Sequence, residues 1–169
     1  MTHGKRYRPL SHYHPRTYSP AQCSCCMISR ILVPMDDSEM AEQALTYALD
    51  NHPEANITVL HAVGGPTIMM GQAVGLALEE NLDEAAAERA EPVFERAREV
   101  AADRDRQINT VVEIGHHPVR PIVDRANNYD TIILGSHGKH SEGVTRQFLV
   151  GNVAKTVFQR ASVPVTFVR

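Results

Sequence analysis

The stretch TIILGSHGKHSEGVTRQFLVGN, from Thr131 to Asn152, decides the fold class. Its first four residues are apolar and β-branched without alternating with polar residues, which is typical of a strand buried on both faces of a parallel sheet. Gly135 and Gly138 follow, and glycine lacks the Cβ that would keep a ligand away from the backbone. Gly151 and Asn152 then begin a predicted helix, whose first N–H groups suit an anion. The stretch therefore predicts a phosphate-binding loop between a buried strand and a helix.

The rest of the chain predicts a repeated alternation of strands and helices. Short apolar runs bounded by proline or glycine indicate strands, and apolar residues recurring at three- and four-residue intervals indicate helices. The predicted strands are Ile31–Val33, Ile57–Val63, Ile108–Ile114, Thr131–Leu134 and Val163–Val168. The predicted helices run from about Ser38 to Leu49, Leu78 to Arg104, Pro118 to Asn128 and Gly151 to Arg160. This alternation predicts a doubly wound, five-stranded parallel α/β sheet with strand order 3-2-1-4-5.

Several residues set the expected ends of these elements. Pro34 ends the first strand, because proline cannot donate to a central ladder. Asp37 or Ser38 can cap the helix that follows. Residues 64–75, which begin with Gly-Gly-Pro, are expected to be irregular. Pro92 interrupts the long helix and predicts either a kink or two successive helices.

The composition favours one globular domain. The chain has 169 residues, 43% of them hydrophobic, and a formal net charge of -3. Four of its 17 basic residues lie in the first 26, which contain no acid, so the remainder carries 13 basic residues against all 20 acidic ones. A body that acidic argues against a nucleic-acid partner. No apolar run is long enough to span a membrane and the N-terminus lacks a signal-peptide core, so we expect a cytoplasmic protein with no membrane partner.

Residues 1–27 are predicted to form a disordered, basic N-terminal extension, and residues 28–169 the folded domain. All three cysteines lie in this extension, so no disulfide supports the domain. The motif Cys23-x-Cys25-Cys26, with two nearby histidines, raises the alternative of a metal-binding or redox tail, although adjacent cysteines do not match the spacing of a structural zinc site. A further alternative is an over-extended translation start, with Met27 as the true first residue.

The predicted topology also indicates where a ligand binds. In open α/β sheets the ligand lies outside the carboxyl ends of the strands, where the winding reverses. With the order 3-2-1-4-5, the reversal falls between the strand that leads into Asp36 and the strand that leads into Gly135. Asp36 can accept hydrogen bonds from a ribose or an amine, and Ala62 at the end of the second strand can line an apolar base pocket. The alternative for Asp36 is helix capping alone.

From Ser29 to Arg169 the sequence is similar to the universal stress protein family. The similarity is carried by the motifs ILVPMDDSE, LHAV, GHHP, GSHGK, LVGNVAKTVFQR and VPVTFV. The resemblance implies a Rossmann-like fold of the adenine nucleotide alpha hydrolase type. In nucleotide-binding members the loop follows the pattern G-x2-G-x9-G-(S/T), which holds the phosphates of ATP. Gly135, Gly138 and Gly151 match its three glycines.

The loop departs from that pattern at two points. Twelve residues separate Gly138 from Gly151 where the pattern has nine, and Asn152 replaces the serine or threonine. Asparagine can still cap the helix and donate to a phosphate. The resemblance implies that the adenosine would contact Pro34, Met35, Asp36, Ala62 and Leu134. The ribose and the phosphates of ATP, with or without Mg²⁺, would contact Gly135, Gly138, Gly151, Asn152 and Val153.

Basic residues of the loop add a candidate that rests on chemistry alone. Lys139, His140 and Arg146 can compensate phosphate charge, and the alternative for each is a solvated loop residue. We include Lys139 among the predicted binding residues.

Other chemistries find less support in the sequence. Lys155-Thr156 lacks the glycine context of a P-loop, and Ser136-His137 lacks a nucleophile elbow. His116-His117 has no carboxylate or cysteine partner for a metal, so capping or surface histidines are expected. We predict no catalytic residues, no metal site, and no enzyme activity beyond slow hydrolysis of ATP.

The last predicted strand, Val163–Val168, would lie at a sheet edge, where an unprotected strand invites pairing. Universal stress proteins dimerise through this strand, so the resemblance implies a homodimer. The expected function is a nucleotide-dependent dimeric switch in the stress response, with adenine nucleotide as ligand. The alternative is a nucleotide-independent interaction protein of the same fold with a degenerate phosphate loop. The sequence does not identify a downstream protein partner.

Overall fold

The computed structural model describes residues 27–64, 72–115, 117–136 and 151–169, and for residues 72–81 only the backbone. The predictions for residues 1–26, for residues 65–71, for His116 and for the loop 137–150 lie outside this part of the chain.

The described elements alternate as the sequence predicts. In chain order they are β1 (Arg30–Pro34), α1 (Glu39–Asn51), β2 (Asn56–Val63), α2 (Gln72–Ala102), β3 (Asn109–Ile114), α3 (Val119–Arg125), a 3-10 turn (Ala126–Asn128), β4 (Thr131–Gly135), α4 (Asn152–Arg160) and β5 (Val165–Val168). All strands pair in parallel in the order β3-β2-β1-β4-β5. The predicted fold class is therefore confirmed.

Helices cover both faces of the sheet. One core cluster joins α1 and α2 to the sheet, and the other joins α3 and α4 to the opposite face. The inner residues of β1 and β4 are completely buried because both of their faces are covered. The apolar face predicted for α1 is buried in full: Ala41, Ala44, Leu45, Ala48 and Leu49.

Some details of the elements differ from the predictions. The helix α2 begins at Gln72, so the prediction of an irregular conformation is wrong for residues 72–75. The helix formers of the segment QAVGLALEE outweigh the cost of Gly75, which is about 1 kcal/mol in a helix. The helix also remains a single element through Pro92, so the alternative of two successive helices is wrong. At the other end of the chain, β5 begins at Val165 rather than Val163.

Polar side chains close the amino ends of the strands. The carboxylate of Asp130 accepts hydrogen bonds from the Ser29 N–H (2.9 Å), the Ser29 hydroxyl (2.8 Å) and the Arg30 N–H (2.9 Å). These hydrogen bonds hold the pKa of Asp130 well below its usual range, and the bond from the Ser29 N–H has the largest effect. They fasten the start of β1 to the turn that precedes β4.

Arg106 closes the same end of the molecule between α1 and β2. Its guanidinium donates to the backbone carbonyls of Leu49 (3.3 Å), His52 (3.4 Å) and Ala55 (2.9 Å). The carbonyls at the end of α1 have no helical donor, so a planar guanidinium that reaches several of them stabilises the turn.

Within the described part of the chain, no helix has the length and the apolar composition that crossing a bilayer requires.

Candidate functional site

A cavity of about 630 Å³ lies at the carboxyl ends of the strands. It is placed where β1 pairs with β2 on one side and with β4 on the other, which is the reversal of winding that the topology predicts. Its walls come from the turn after β1, the ends of β2 and β4, and the first turns of α3 and α4. The lining residues are Pro34, Met35, Asp36, Asp37, Ser38, Ala41, Leu60, His61, Ala62, Pro118, Ile122, Leu134, Gly135, Ser136, Gly151, Asn152, Val153 and Ala154.

The structure brings nine of the eleven predicted binding residues together in this one cavity. These are Pro34, Met35, Asp36, Ala62, Leu134, Gly135, Gly151, Asn152 and Val153. The other two, Gly138 and Lys139, lie outside the described residues, as do His140 and Arg146.

The turn from β1 into α1 is held by its own side chains. Asp36 Oδ1 accepts hydrogen bonds from the backbone N–H of Ser38 (3.1 Å) and from the Ser38 hydroxyl. The Ser38 Oγ in turn accepts from the N–H of Ala41 at 3.3 Å and caps α1. Of the two caps that the sequence allows, Ser38 is therefore the one used. Asp36 supports that cap, and it also lines the cavity.

Gly135 has a different physical role from the predicted one. A Cβ at this position would lie 2.8 Å from the carbonyl carbon and the carbonyl oxygen of Met40 on α1. The missing side chain thus allows β4 to approach the backbone of α1. Close approach of a ligand is not what requires glycine here.

Ser136 lies in the wall of the cavity and connects three elements, a role that no sequence motif predicted. Its side chain is 0% exposed. Its N–H donates to the carbonyl of Val168 at the end of β5 (2.8 Å), and its carbonyl accepts from the N–H of Gly151 (2.8 Å). In the sequence, Ser136 suggested only a nucleophile beside His137. No local pattern predicts a serine whose backbone binds both an edge strand and the start of a helix.

The first turn of α4 opens onto the cavity. Gly151 is the N-cap and contributes no side-chain hydrogen bond, so capping by Asn152 is wrong. Asn152 is instead the first helical residue and is exposed. The helix itself supplies no acceptor for the N–H groups of Asn152, Val153 and Ala154. These dipoles point their positive ends out of the helix, which favours an anion at this position.

The remaining walls are mostly apolar. Pro34, Ala62, Leu134 and Ile122 offer surfaces on which a flat heterocycle can pack. At the start of α3, His117 is exposed, as expected of a surface histidine, and its Nδ1 accepts a hydrogen bond from the Val119 N–H at 3.3 Å, while Pro118 is the N-cap of the helix.

A second cavity of about 370 Å³ lies on the other face of the sheet. It shares Met35, Asp36, Asp37 and His61 with the first cavity and is bounded on its outer side by α1 and α2. Arg96 on α2 binds Glu42 on α1 through two hydrogen bonds of 2.9 and 2.8 Å. Hydrogen bonds to Glu42 and then to Glu99 raise the pKa of Arg96 above its usual range. This guanidinium is consequently engaged within the fold.

The described residues contain no group of three or more histidine, cysteine, aspartate or glutamate side chains that could hold a metal ion.

The fold and the cavity together define a Rossmann-like α/β protein with a cavity at the switch point of its sheet. The model of the universal stress protein family matches residues 27–169. The chain therefore belongs to the universal stress protein family.

Solved structures agree with this assignment. Universal stress protein UspA from Lactobacillus plantarum is 30% identical, with 85% of this chain and 99% of that chain covered and a TM-score of 0.65. A universal stress protein from Archaeoglobus fulgidus in complex with dAMP is 20% identical (85% and 99% covered, TM-score 0.56). A universal stress protein solved in complex with cAMP is 18% identical (84% and 97% covered, TM-score 0.54). At these identities the last two show the shared fold alone. A search of curated proteins found no match.

Proposed function

We propose that this protein binds adenine nucleotide, with ATP as the principal ligand, in the cavity at the carboxyl ends of β1 and β4. One observation carries the proposal: nine residues chosen from sequence motifs line a single cavity at the switch point of the sheet. Two structural relatives that were solved with dAMP and cAMP support the ligand class.

The walls of the cavity suit the parts of such a ligand. The base packs against the apolar surface of Pro34, Ala62 and Leu134, and the ribose hydroxyls donate to Asp36. The phosphates lie at the first turn of α4, where backbone N–H groups and the helix dipole favour negative charge. Gly138 and Lys139 complete the phosphate site from the loop, with or without Mg²⁺.

The proposed mechanism is binding that changes an interface. ATP binds at the first turn of α4, and α4 carries Phe158, an aromatic residue that is 59% exposed. The Phe158 ring lies 5.7 Å, centroid to centroid, from that of Phe167 on the edge strand β5. A second copy of the chain that pairs with β5 would cover this apolar surface. Turnover of ATP is slow or absent in this mechanism, and the site of action is the cytoplasm.

Calorimetric titration tests the ligand. We expect ATP to bind with a dissociation constant in the micromolar range and the Ala62→Leu variant to bind at least about tenfold more weakly, because the larger side chain occupies space needed by the base. Ala102→Leu, an exposed change at the far end of α2, is the matched control and should bind as the wild type does. Absence of binding at millimolar ATP would reject the proposal and favour a nucleotide-independent interaction protein.

Light scattering at micromolar protein tests the dimer separately. The mass should be that of two chains, and a monomeric mass with and without ATP would reject the proposed switch.

A further inference from the structure

His61 interrupts an otherwise apolar row of side chains. Side chains on one face of a strand recur at every second residue, so Ile57, Val59, His61 and Val63 of β2 face the same side of the sheet. The other three are buried and belong to the core cluster that α1 and α2 cover. An imidazole in this row must find a hydrogen-bond partner, because burying an unpaired polar group is costly.

The partner is the backbone of the turn after β1. His61 Nδ1 lies 2.8 Å from the carbonyl oxygen of Met35. A carbonyl can only accept, so Nδ1 carries a proton and donates it. The ring also packs edge-on against Phe94 of α2, with centroids 6.4 Å apart and planes at 85°. Contacts on two sides thus fix the orientation of the imidazole.

This hydrogen bond stands at the point where the ladder between β1 and β2 ends. The Met35 N–H still donates to the Leu60 carbonyl at 2.8 Å, as a parallel ladder requires. In a continuing ladder, the N–H of Ala62 would donate next to the Met35 carbonyl. The imidazole supplies that donor instead. After Met35 the chain can therefore turn away from β2, through Asp36 and into α1, while the Met35 carbonyl keeps a hydrogen-bond donor.

We propose that His61 is a positioning residue for the nucleotide site. It borders both cavities, but it acts through the carbonyl of Met35, and holds the turn that presents Asp36 to the first cavity. Its part in ligand binding rests on the proposed function, whereas its hold on the turn does not. Because a second cavity lies beside the imidazole, the ring can be replaced without overpacking the core.

Two substitutions separate positioning from simple packing. His61→Asn keeps an N–H donor at nearly the position of Nδ1, and His61→Leu keeps the bulk but loses the donor. We expect His61→Leu to weaken ATP binding about tenfold, which corresponds to loss of one hydrogen bond, and His61→Asn to restore affinity to within about threefold of the wild type. Val59→Ala is the matched control, because it removes core packing on the same face of β2 and leaves the turn intact. It should lower thermal stability without changing the affinity of the folded protein.

Amide hydrogen exchange of the nucleotide-free protein supplies an independent measurement. The amides of Met35 and Ser38 are hydrogen-bonded in the turn and report its opening. Relative to global unfolding, both should exchange about tenfold faster in His61→Leu and close to the wild-type rate in His61→Asn. If the wild type binds no ATP, the proposed function fails while these rates still decide whether His61 holds the turn. Equal exchange in the Leu and Asn variants, or wild-type rates in His61→Leu, would overturn the positioning role.

Discussion

At the amino ends of the strands, polar side chains are bound to the protein's own backbone, whereas at the carboxyl ends the backbone borders a cavity. Asp130 and Arg106 together engage backbone groups of Ser29, Arg30 and the turn after α1. At the carboxyl ends, α4 starts at a glycine with no side-chain cap. The first end fastens the strands together, and at the second the helix itself supplies no acceptor for the first N–H groups of α4, which favours an anion there.

This difference does not mean that the carboxyl end is loosely built. Behind the cavity, β4 lies against α1 so closely that Gly135 has no room for a methyl group. Ser136 is buried and bonded through its backbone to β5 and to the start of α4. The site therefore combines an open front with a tightly packed back, which is the arrangement that holds a ligand in fixed geometry.

The largest expected effect is on stability and tests the close packing of β4 against α1. We expect Gly135→Ala to lower the free energy of unfolding by about 1 to 3 kcal/mol, because the added methyl meets backbone atoms of Met40 that cannot rotate away. Urea denaturation measures it. Gly64→Ala is the control, since no atom of the residues that the structure describes lies within 4 Å of a Cβ there, and the change should stay within about 0.5 kcal/mol. Equal stability of the two variants would show that β4 and α1 separate easily.

Gly135 also shows how far the sequence could predict this site. Glycines after a buried strand predicted a phosphate loop, and the cavity does lie there. The sequence pattern cannot distinguish a glycine that admits a ligand from one that admits a helix, because both require only a missing Cβ. The contact with Met40 joins residues 95 positions apart, so only the tertiary structure assigns the reason.

Secondary structure and side-chain contacts show the same limit on prediction from the sequence. The all-apolar runs of β1 and β4 predicted burial correctly, since strands covered on both faces leave no polar positions. Pro92 predicted an interruption, but it is exposed, so the Glu88 carbonyl that loses its helical donor lies on the side that faces water. His61 belongs to the LHAV motif, yet its bond to Met35 depends on where the ladder ends.

A smaller effect, at the amino end, concerns pH. The hydrogen bonds from Ser29 and Arg30 depress the pKa of Asp130, so the unfolded chain binds the proton more readily than the folded one. Their stabilisation is present above the ordinary aspartate pKa of about 3.9 and is lost as the pH falls below it. The urea midpoint of Asp130→Asn should therefore lie below that of the wild type at pH 7, and the gap should close on acidification. Asp103→Asn, at the exposed end of α2, controls for loss of one charge. A gap independent of pH would contradict the linkage.

The smallest expected effect lies at the open end, on the residue by which this loop departs from the nucleotide-binding pattern. We expect Asn152→Ser to raise ATP affinity by about two- to fivefold, because a small hydroxyl at the first helical position donates to a phosphate at less entropic cost than an amide. Asn152→Asp should lower affinity by a similar factor through repulsion. Gln159→Ser, near the other end of α4, controls for helix propensity and should leave affinity unchanged. If Ser and Asp at position 152 had the same effect, the phosphates would not lie at the start of α4, and the contrast between the two ends of the sheet would lose its functional meaning.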